Sequence, residues 1–261
     1  MQSQNVFKKE KTEPPKIIPL QNEQSISRAS ISRVIIAIIL LIVLIEVGFF
    51  KTYIQYFPKF EDATVNGETV HFNSIMHFHG IVMMGWVLML LVQPILILKG
   101  KIKWHRRVGS LSYVLAPLVV LALYLANKDN LHYFSQHSDA LSSLTVTFPS
   151  LVFFVILYSL AIFYRHRPAL HMRFMCSTAF LLINPPLDRA LITYLGLHGF
   201  SEGIIIVLLL AGIVTVVDSL RTKRISPFAL VFGFLLLQKI LYDLRDTPFW
   251  QTMGNAITKI F

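Results

Sequence analysis

Residues 75–98 read IMHFHGIVMMGWVLMLLVQPILIL, and this stretch decides the fold. It contains no acidic or basic residue apart from two histidines near its start, His77 and His79. About 20 consecutive apolar residues in a helix are enough to cross the hydrocarbon core of a bilayer. The stretch therefore predicts a membrane-spanning helix that carries ionisable side chains only at one end.

The rest of the chain repeats this pattern. Hydrophobic residues make up 54% of the chain and charged residues 15%, whereas an average soluble domain has about 25% charged residues. We predict an all-helical integral membrane bundle with about seven transmembrane helices in residues 32–243. Residues 1–31 are predicted to form a disordered cytoplasmic tail, and residues 244–261 an outer interfacial C-terminal segment. The predicted spans lie at about 33–50, 75–98, 108–126, 145–164, 172–195, 203–220 and 226–243.

The basic residues predict an orientation. The loops after the second, fourth and sixth predicted spans hold eleven lysines and arginines, against three in the alternate loops. Because basic loops stay in the cytoplasm, this bias predicts a cytoplasmic N-terminus. The net charge of +10 is thus spread over loops and predicts no nucleic-acid partner. The eleven are Lys99, Lys101, Lys103, Arg106, Arg107, Arg165, Arg167, Arg173, Arg221, Lys223 and Arg224, and the three are Lys51, Lys59 and Lys128.

Two histidines open predicted spans at the cytoplasmic face. From His105, helical steps reach Gly109, Ser112 and Ala116 on one face, and all three are small. A helix face made of small residues leaves room for a flat ligand. Two facing imidazoles, His105 and His171, suit the axial positions of a haem iron. Close helix packing beside lipid phosphates is the alternative. The candidate cofactor-binding residues are His105, His171, Arg107 and Arg173, with the arginines pairing to haem propionates or lipid phosphates.

A second group of ionisable side chains is predicted in the outer half of the bundle, where helical rise brings them to similar depths. Its members are Glu46, His77, His79, Asn184, Asp188, Arg189, Lys239 and Asp243. Imidazole and carboxylate ligands together suit zinc, copper or non-haem iron. On one helix His77 and His79 point about 200° apart, so they share an ion only if residues 75–79 are extended. A structural network of ion pairs is the alternative.

Prolines interrupt the fifth predicted span. Asn184, Pro185 and Pro186 stand one turn before Asp188, and proline breaks a helix because it has no N–H. Freed backbone carbonyls at membrane depth need a polar or wet lining. We therefore predict a cavity at this break, with Asp188 and Arg189 as candidate catalytic residues.

One face of the second predicted span carries a regular stripe. Its members, His79, Met83, Trp86, Leu90 and Gln93, recur at helical spacing. This spacing predicts a seam between helices, with a functional histidine only at the outer end.

The motifs resemble those of a known family. Residues 77–117 contain His-x-His-Gly, Trp86, Gln93 and His-Arg-x-x-Gly-x-x-Ser, and residues 168–189 contain Pro-x-x-His-x-Arg, Pro185 and Arg189. This pattern resembles a widespread, poorly characterised family of bacterial polytopic membrane proteins over about residues 75–195. That family is loosely similar to membrane cytochromes b, which implies haem b. Those cytochromes typically place ligand histidines within spans, whereas here the histidines lie at the edges.

We expect a membrane protein that binds haem b or a divalent metal ion and has a redox role. Its ligands would come from His79, His105 and His171, with His77 as a further candidate, and its partners would be the bilayer and a lipid or quinone. One alternative is a metal-dependent hydrolase or lipid-modifying enzyme at the outer leaflet, in which His77, His79 and Asp188 hold a metal ion that activates water. The other is a small-solute transporter whose path passes the broken fifth span.

Overall fold

The computed structural model describes residues 26–60, 64–65, 68–69, 72–134, 140–197 and 200–260. Most of the predicted N-terminal tail lies outside these ranges. Within them the chain is helical, with one two-residue antiparallel strand pair, β1 (Thr64–Val65) and β2 (Glu68–Thr69). The helices are α1 (Arg28–Phe50), α2 (Ser74–Leu98), α3 (Ile102–Ser110), α4 (Ser112–Phe134), α5 (Ala140–Phe163), α6 (Pro168–Phe180), α7 (Asn184–Leu195), α8 (Phe200–Thr222), α9 (Phe228–Asp243) and α10 (Pro248–Ile257).

Side-chain caps fix where the first two long helices begin. The Ser27 hydroxyl accepts a hydrogen bond from the Ser30 N–H at 3.1 Å, so α1 begins at Arg28, inside the predicted tail. The Asn73 side chain accepts from the Met76 N–H at 2.9 Å, so α2 begins at Ser74. Such caps satisfy backbone donors that have no partner inside the helix. Residues 75–79 are therefore helical, which decides the directions of the two histidines that follow.

Five segments of the described chain are long and apolar enough to cross a membrane. They are Arg28–Phe50, Ser74–Leu98, Ile102–Leu131, Leu144–Phe163 and Phe200–Thr222. The other two predicted spans take a different form. Residues 172–195 are divided between α6 and α7, because Pro185 and Pro186 occupy the first turn of α7 and cannot continue α6. The predicted break in this segment is confirmed, whereas α9 is a helix of only 16 residues.

The long helices carry large apolar side chains on their outer surface. On α8, Leu209, Ile213 and Leu220 follow one another at helical spacing and are 62%, 62% and 74% exposed. On α1, Ile36 and Leu40 are 56% and 63% exposed. Exposed apolar surfaces of this extent mark contact with another apolar phase. Together with the helix lengths, they identify a chain built to be surrounded by lipid.

Two apolar cores lie side by side in the bundle. The first packs α1, α2 and α4 around the fully buried Trp86 and Val119. The second packs α5, α6, α8 and α9 around Leu157, Val207 and Val231. The two cores share partly buried side chains of α6 and of the turn before α7, which are Met175, Leu181 and Ile183. The broken span therefore contributes side chains to both cores.

One end of the bundle is strongly basic. The connections after α2, α5 and α8, together with the helix ends beside them, contain the eleven lysines and arginines counted above. We call this end the basic end and the other the opposite end. Both ends carry buried or half-buried polar side chains, and these define the two places where chemistry is concentrated.

Candidate functional site

Gln93 ties the end of α2 to α3 at the basic end. With its amide nitrogen toward His105, it donates to the His105 carbonyl at 3.1 Å and to His105 Nδ1 at 2.5 Å, and its oxygen accepts from the Gly109 N–H at 3.0 Å. The reverse orientation would set oxygen against the carbonyl and nitrogen against the N–H, so the first orientation is the stable one. Gln93 thus bridges two backbone groups one helical turn apart, close to the junction of α3 and α4.

His171 lies in the first turns of α6, and a backbone carbonyl of α5 holds its ring in place. His171 Nδ1 donates to the Ala161 carbonyl of α5 at 2.8 Å. Both His105 and His171 are half-buried, and they are close enough for their charges to interact. The structure therefore places both histidines at the basic end, as the sequence predicts.

The partners of these two rings fix where their protons are. A carbonyl can only accept, so His171 carries its proton on Nδ1 and its Nε2 presents a lone pair. With the Gln93 amide in this orientation, His105 Nδ1 accepts from it, which assigns the proton of neutral His105 to Nε2. The pair therefore presents one hydrogen-bond donor and one acceptor.

Arg173 of α6 has a protein partner of its own. Its Nε and Nη2 donate to Asp218 Oδ2 and Oδ1 of α8 at 2.8 Å and 2.9 Å. The Ser226 hydroxyl donates to Asp218 Oδ2 at 2.6 Å, which ties the α8–α9 turn to the same carboxylate. Arg173, which was expected to pair with a haem propionate or a lipid phosphate, is therefore engaged by Asp218. Arg107 is exposed and lies over the Trp104 ring, with its guanidinium carbon 5.6 Å from the ring centroid.

With Gln93 in this orientation, the two histidines do not both fit the axial positions of a haem iron. Axial ligation needs a lone pair on the coordinating nitrogen of each imidazole. His171 Nε2 meets this condition, whereas His105 Nε2 carries a proton as long as Gln93 donates to Nδ1. The arginine expected to neutralise a propionate is engaged by Asp218.

The stripe on α2 is confirmed as a seam, because its polar members reach three different helices. Trp86 is buried and donates from Nε1 to the Thr178 hydroxyl of α6 at 3.1 Å. His79 Nδ1 donates to the Ala122 carbonyl of α4 at 3.3 Å. Gln93 completes the series at the basic end. Beside Trp86, the Tyr158 and Ser112 hydroxyls share a hydrogen bond at 3.1 Å, so the middle of the first core also contains paired polar groups.

His77 belongs to an aromatic cluster at the opposite end. The Tyr53 hydroxyl and His77 Nδ1 are 2.5 Å apart, and the Phe60 ring centroid lies 4.6 Å from that of His77. Burial raises the pKa of the Tyr53 phenol above its usual value, so the phenol keeps its proton and donates to the imidazole. Because α2 begins at Ser74, His77 faces this cluster while His79 faces α4.

Lys239 and Arg189, which were also predicted in the outer group, have separate partners. Lys239 pairs with Asp243 within α9 at 2.5 Å, and the Arg189 guanidinium lies 4.6 Å from the Phe49 ring centroid. Glu46 is exposed on α1. Among the residues that the structure describes, no three His, Cys, Asp or Glu side chains gather around one point that could hold a metal ion. His77, His79 and Asp188 are therefore not assembled into the metal centre that a hydrolase needs.

The broken span packs tightly where a cavity was predicted. A Cβ at Gly203 of α8 would lie 1.7 Å from Asp188 Oδ1 and 3.0 Å from Asn184 Oδ1. A Cβ at Gly48 of α1 would lie 2.1 Å from the Pro186 carbonyl oxygen. These distances mean that α7 touches both neighbours through glycines. Asn184 Nδ2 donates to Asp188 Oδ2 at 2.9 Å, whereas Asn184 Oδ1 and Asp188 Oδ1 are buried with no hydrogen-bond partner.

Comparison with protein-family models, with curated proteins and with solved structures finds no match for this chain. The resemblance to a family of bacterial membrane proteins therefore stays a prediction. Function has to be inferred from the two polar sites themselves.

The sequence alone missed several of the side chains that build these sites. Asp218, Tyr53 and Tyr158 were not among the expected functional residues, and Gln93 was expected only as part of a seam. A signal was present for Asp218, which is an isolated carboxylate in an apolar segment next to the cations at 221–224. Ionisable residues inside such segments usually have a partner or a function.

Proposed function

We propose that the protein crosses a bacterial cytoplasmic (inner) membrane seven times, with its N-terminus in the cytoplasm. Beyond the five long helices, α6 and α7 together would form one interrupted span and α9 a short one. The 16 residues of α9 rise about 24 Å, somewhat less than the thickness of a bilayer core of about 30 Å. The eleven-to-three charge bias supports a basic end on the cytoplasmic side.

We further propose that this is a membrane protein of the redox class that binds the headgroup of a quinone between His105 and His171. The observation that carries the proposal is the donor and acceptor presented by the two imidazoles. A quinone carbonyl accepts a hydrogen bond, and a quinol hydroxyl donates one. His105 Nε2–H would bind the carbonyl oxygen, and His171 Nε2 would bind the hydroxyl.

The two histidines have different roles in this proposal. With a quinol bound, the hydroxyl proton can pass to His171 Nε2, which leaves an imidazolium and a quinol anion. The Ala161 carbonyl stabilises that imidazolium, because it already accepts from Nδ1. His105 would orient the headgroup, and Gln93 would hold the His105 ring in the required protonation state. The Asp218 carboxylate would neutralise the charge of Arg173, which lies two residues after His171. Arg173 would therefore not oppose the uptake of a proton by His171.

The surface beside the pair supports entry from the lipid. Three large side chains are exposed here: Trp104 on α3 (55%), Leu111 at the junction of α3 and α4 (58%) and Tyr113 on α4 (52%). These apolar side chains would face the acyl chains in the proposed topology, where quinone tails are dissolved. A lipid phosphate is a weaker fit to the same site, because a phosphodiester has no donor for the His171 lone pair.

The test is binding of a short-chain benzoquinone to detergent-purified protein, measured as quenching of tryptophan fluorescence. We expect His105→Ala and His171→Ala each to weaken binding about tenfold, since one hydrogen bond contributes about 1–1.5 kcal/mol. The matched control is His166→Ala, because His166 is an exposed histidine at the same end. It should bind like the wild type.

Two results would contradict the proposal. One is equal quinone affinity in the wild type and both histidine variants, with anionic lipid as the only molecule whose binding the variants change. The other is a haem Soret band in the purified protein that His105→Ala and His171→Ala both abolish. The absorption spectrum of the same samples decides the second case without a binding measurement.

A further inference from the structure

Two buried oxygens at the opposite end lack a partner, and they belong to adjacent side chains. They are Asn184 Oδ1 and Asp188 Oδ1, and Asn184 is only 8% exposed. Buried polar atoms in proteins are almost always hydrogen-bonded. Both atoms also lie close to one point beside Gly203, at 3.0 Å and 1.7 Å from the position of a Cβ on that residue. Their shared surroundings indicate that one missing group satisfies both.

A hydrogen atom on Asp188 would satisfy both oxygens. Asn184 Nδ2 already donates to Asp188 Oδ2 at 2.9 Å. If Asp188 Oδ1 carries a proton, it can donate back to Asn184 Oδ1, and the amide and the acid form a cyclic pair with two hydrogen bonds. If Asp188 is ionised, its Oδ1 has no hydrogen to donate and faces the amide oxygen, lone pair against lone pair. A metal cation is a poorer fit, because Asp188 Oδ1 is already packed against the backbone of Gly203.

The charged groups around Asp188 do not replace the proton. Arg189 is the nearest cation in the chain, but its guanidinium lies over the Phe49 ring of α1 and its Nη1 donates to the Pro185 carbonyl at 3.4 Å. Glu202 precedes Gly203 on α8 and adds negative charge on that side. The other charged or titratable groups on the packed elements are Glu46, which is exposed on α1, Lys51, which lies over the Tyr194 ring, and His79 of α2, which interacts with Arg189.

We propose that Asp188 and Asn184 form a proton-binding site, with the proton held on Asp188 Oδ1 and shared with Asn184 Oδ1. This site is separate from the histidine pair and goes beyond the proposed quinone binding. Release of the proton requires water to reach Asp188 Oδ1, which is buried where α7 packs against Gly203 of α8. Protonation is therefore coupled to the contact between α7 and Gly203. A protonatable carboxyl on an interrupted span is the kind of group that moves protons through membrane proteins.

The experiment is infrared spectroscopy of the full-length protein in lipid nanodiscs, with 13C label on the aspartate side chains. We expect the C=O stretch of a protonated aspartic acid at pH 7, shifted by exchange into D2O. Asp188→Glu should remove the labelled band, since the acid at this position is then no longer aspartate. Asp218→Asn is the matched control and should leave the band intact, because Asp218 is ionised in its pair with Arg173. Asn184→Ala should move the band, because the acid loses its amide partner.

Absence of a protonated aspartic acid band in the wild type at pH 7 would overturn the proposal, and so would a band that persists in Asp188→Glu. Thermal stability gives a second readout if a variant folds poorly. Asp188→Asn replaces a neutral acid by a neutral amide, so its melting temperature should stay close to that of the wild type. A large loss that is restored when Arg189 is also neutralised would show an ionised Asp188 and overturn the proposal.

Discussion

Replacement of Gly203 by alanine tests the close contact between α7 and α8. The new Cβ would lie 1.7 Å from Asp188 Oδ1 and 3.0 Å from Asn184 Oδ1. Since carbon and oxygen approach to about 3.3 Å, α8 must move outward by about 1.5 Å, or Asp188 must turn away. Overpacking of this kind costs about 1–3 kcal/mol, and loss of the Asn184–Asp188 hydrogen bond adds about 1 kcal/mol. We expect a total loss of about 2–4 kcal/mol.

Gly233→Ala is the matched control, since it also changes one glycine within an apolar helix. No atom lies within 4 Å of a Cβ at Gly233. Alanine should therefore be neutral there or stabilise α9 by up to about 1 kcal/mol. Gly48→Ala should be at least as damaging as Gly203→Ala, because its Cβ would meet the Pro186 backbone at 2.1 Å and a backbone cannot turn aside.

The assay is thermal unfolding in detergent, read by reaction of a thiol-reactive dye with Cys176, the single cysteine of the chain. At about 2–4 °C per kcal/mol, Gly203→Ala should lower the melting temperature by about 4–16 °C relative to the wild type. Equal melting temperatures for Gly203→Ala and Gly233→Ala would refute the claim that α7 and α8 touch through Gly203.

Three further predictions concern other parts of the bundle. Asp218→Asn should destabilise the protein by about 2 kcal/mol, because the Arg173–Asp218 pair is largely buried at 14% and 19% side-chain exposure. Adding Arg173→Met should recover part of that stability, and a double variant no better than the single one would contradict the pairing. The raised pKa of Tyr53 means that its contribution to stability is complete below the usual value of 10.0 and is lost as the pH rises through the higher pKa of the folded state. Melting temperatures measured from pH 8 to 12 should therefore fall more steeply in the wild type than in Tyr53→Phe, and parallel curves would exclude the effect. Reporter fusions at residues 30, 103, 168 and 222 should be cytoplasmic, and fusions at residues 135 and 261 should be outside. A cytoplasmic C-terminus would rule out seven spans.

The sequence predicts much of the fold because the bilayer imposes length and composition on each span. The long helices α1, α2, α5 and α8 agree closely with the predicted segments, and Pro185 and Pro186 predict the break between α6 and α7. The stripe on α2 predicts the seam that Trp86 and His79 then form with α6 and α4. Each of these expectations rests on chemistry within one segment.

What the sequence does not reveal is how each helix is rotated about its own axis. A helix in lipid is apolar on its lipid face as well as on its core face, so hydrophobic periodicity does not mark the buried side. The pairing of Arg173 with Asp218, across two helices, depends on that rotation. The position of Gln93 between His105 and Gly109 depends in addition on how far α2 extends past α3. The tight contact at Gly203 replaces the predicted cavity for the same reason, since a glycine in the sequence does not show which side chain fills the space beside it.

The contact of α1 with α7 also affects the order in which the chain can assemble during synthesis. Helix α1 packs on α2 and on α7, and the notch at Gly48 receives the Pro186 carbonyl. Pro186 is synthesised roughly 140 residues after Gly48, which at 5–20 residues per second is about 10–30 s later. Throughout that interval α1 resides in the membrane held only by α2, with the notch open to lipid. A ribosome stalled before residue 184 would therefore leave a nascent chain with an unfilled helix surface, which membrane insertion factors and proteases can distinguish from the finished protein.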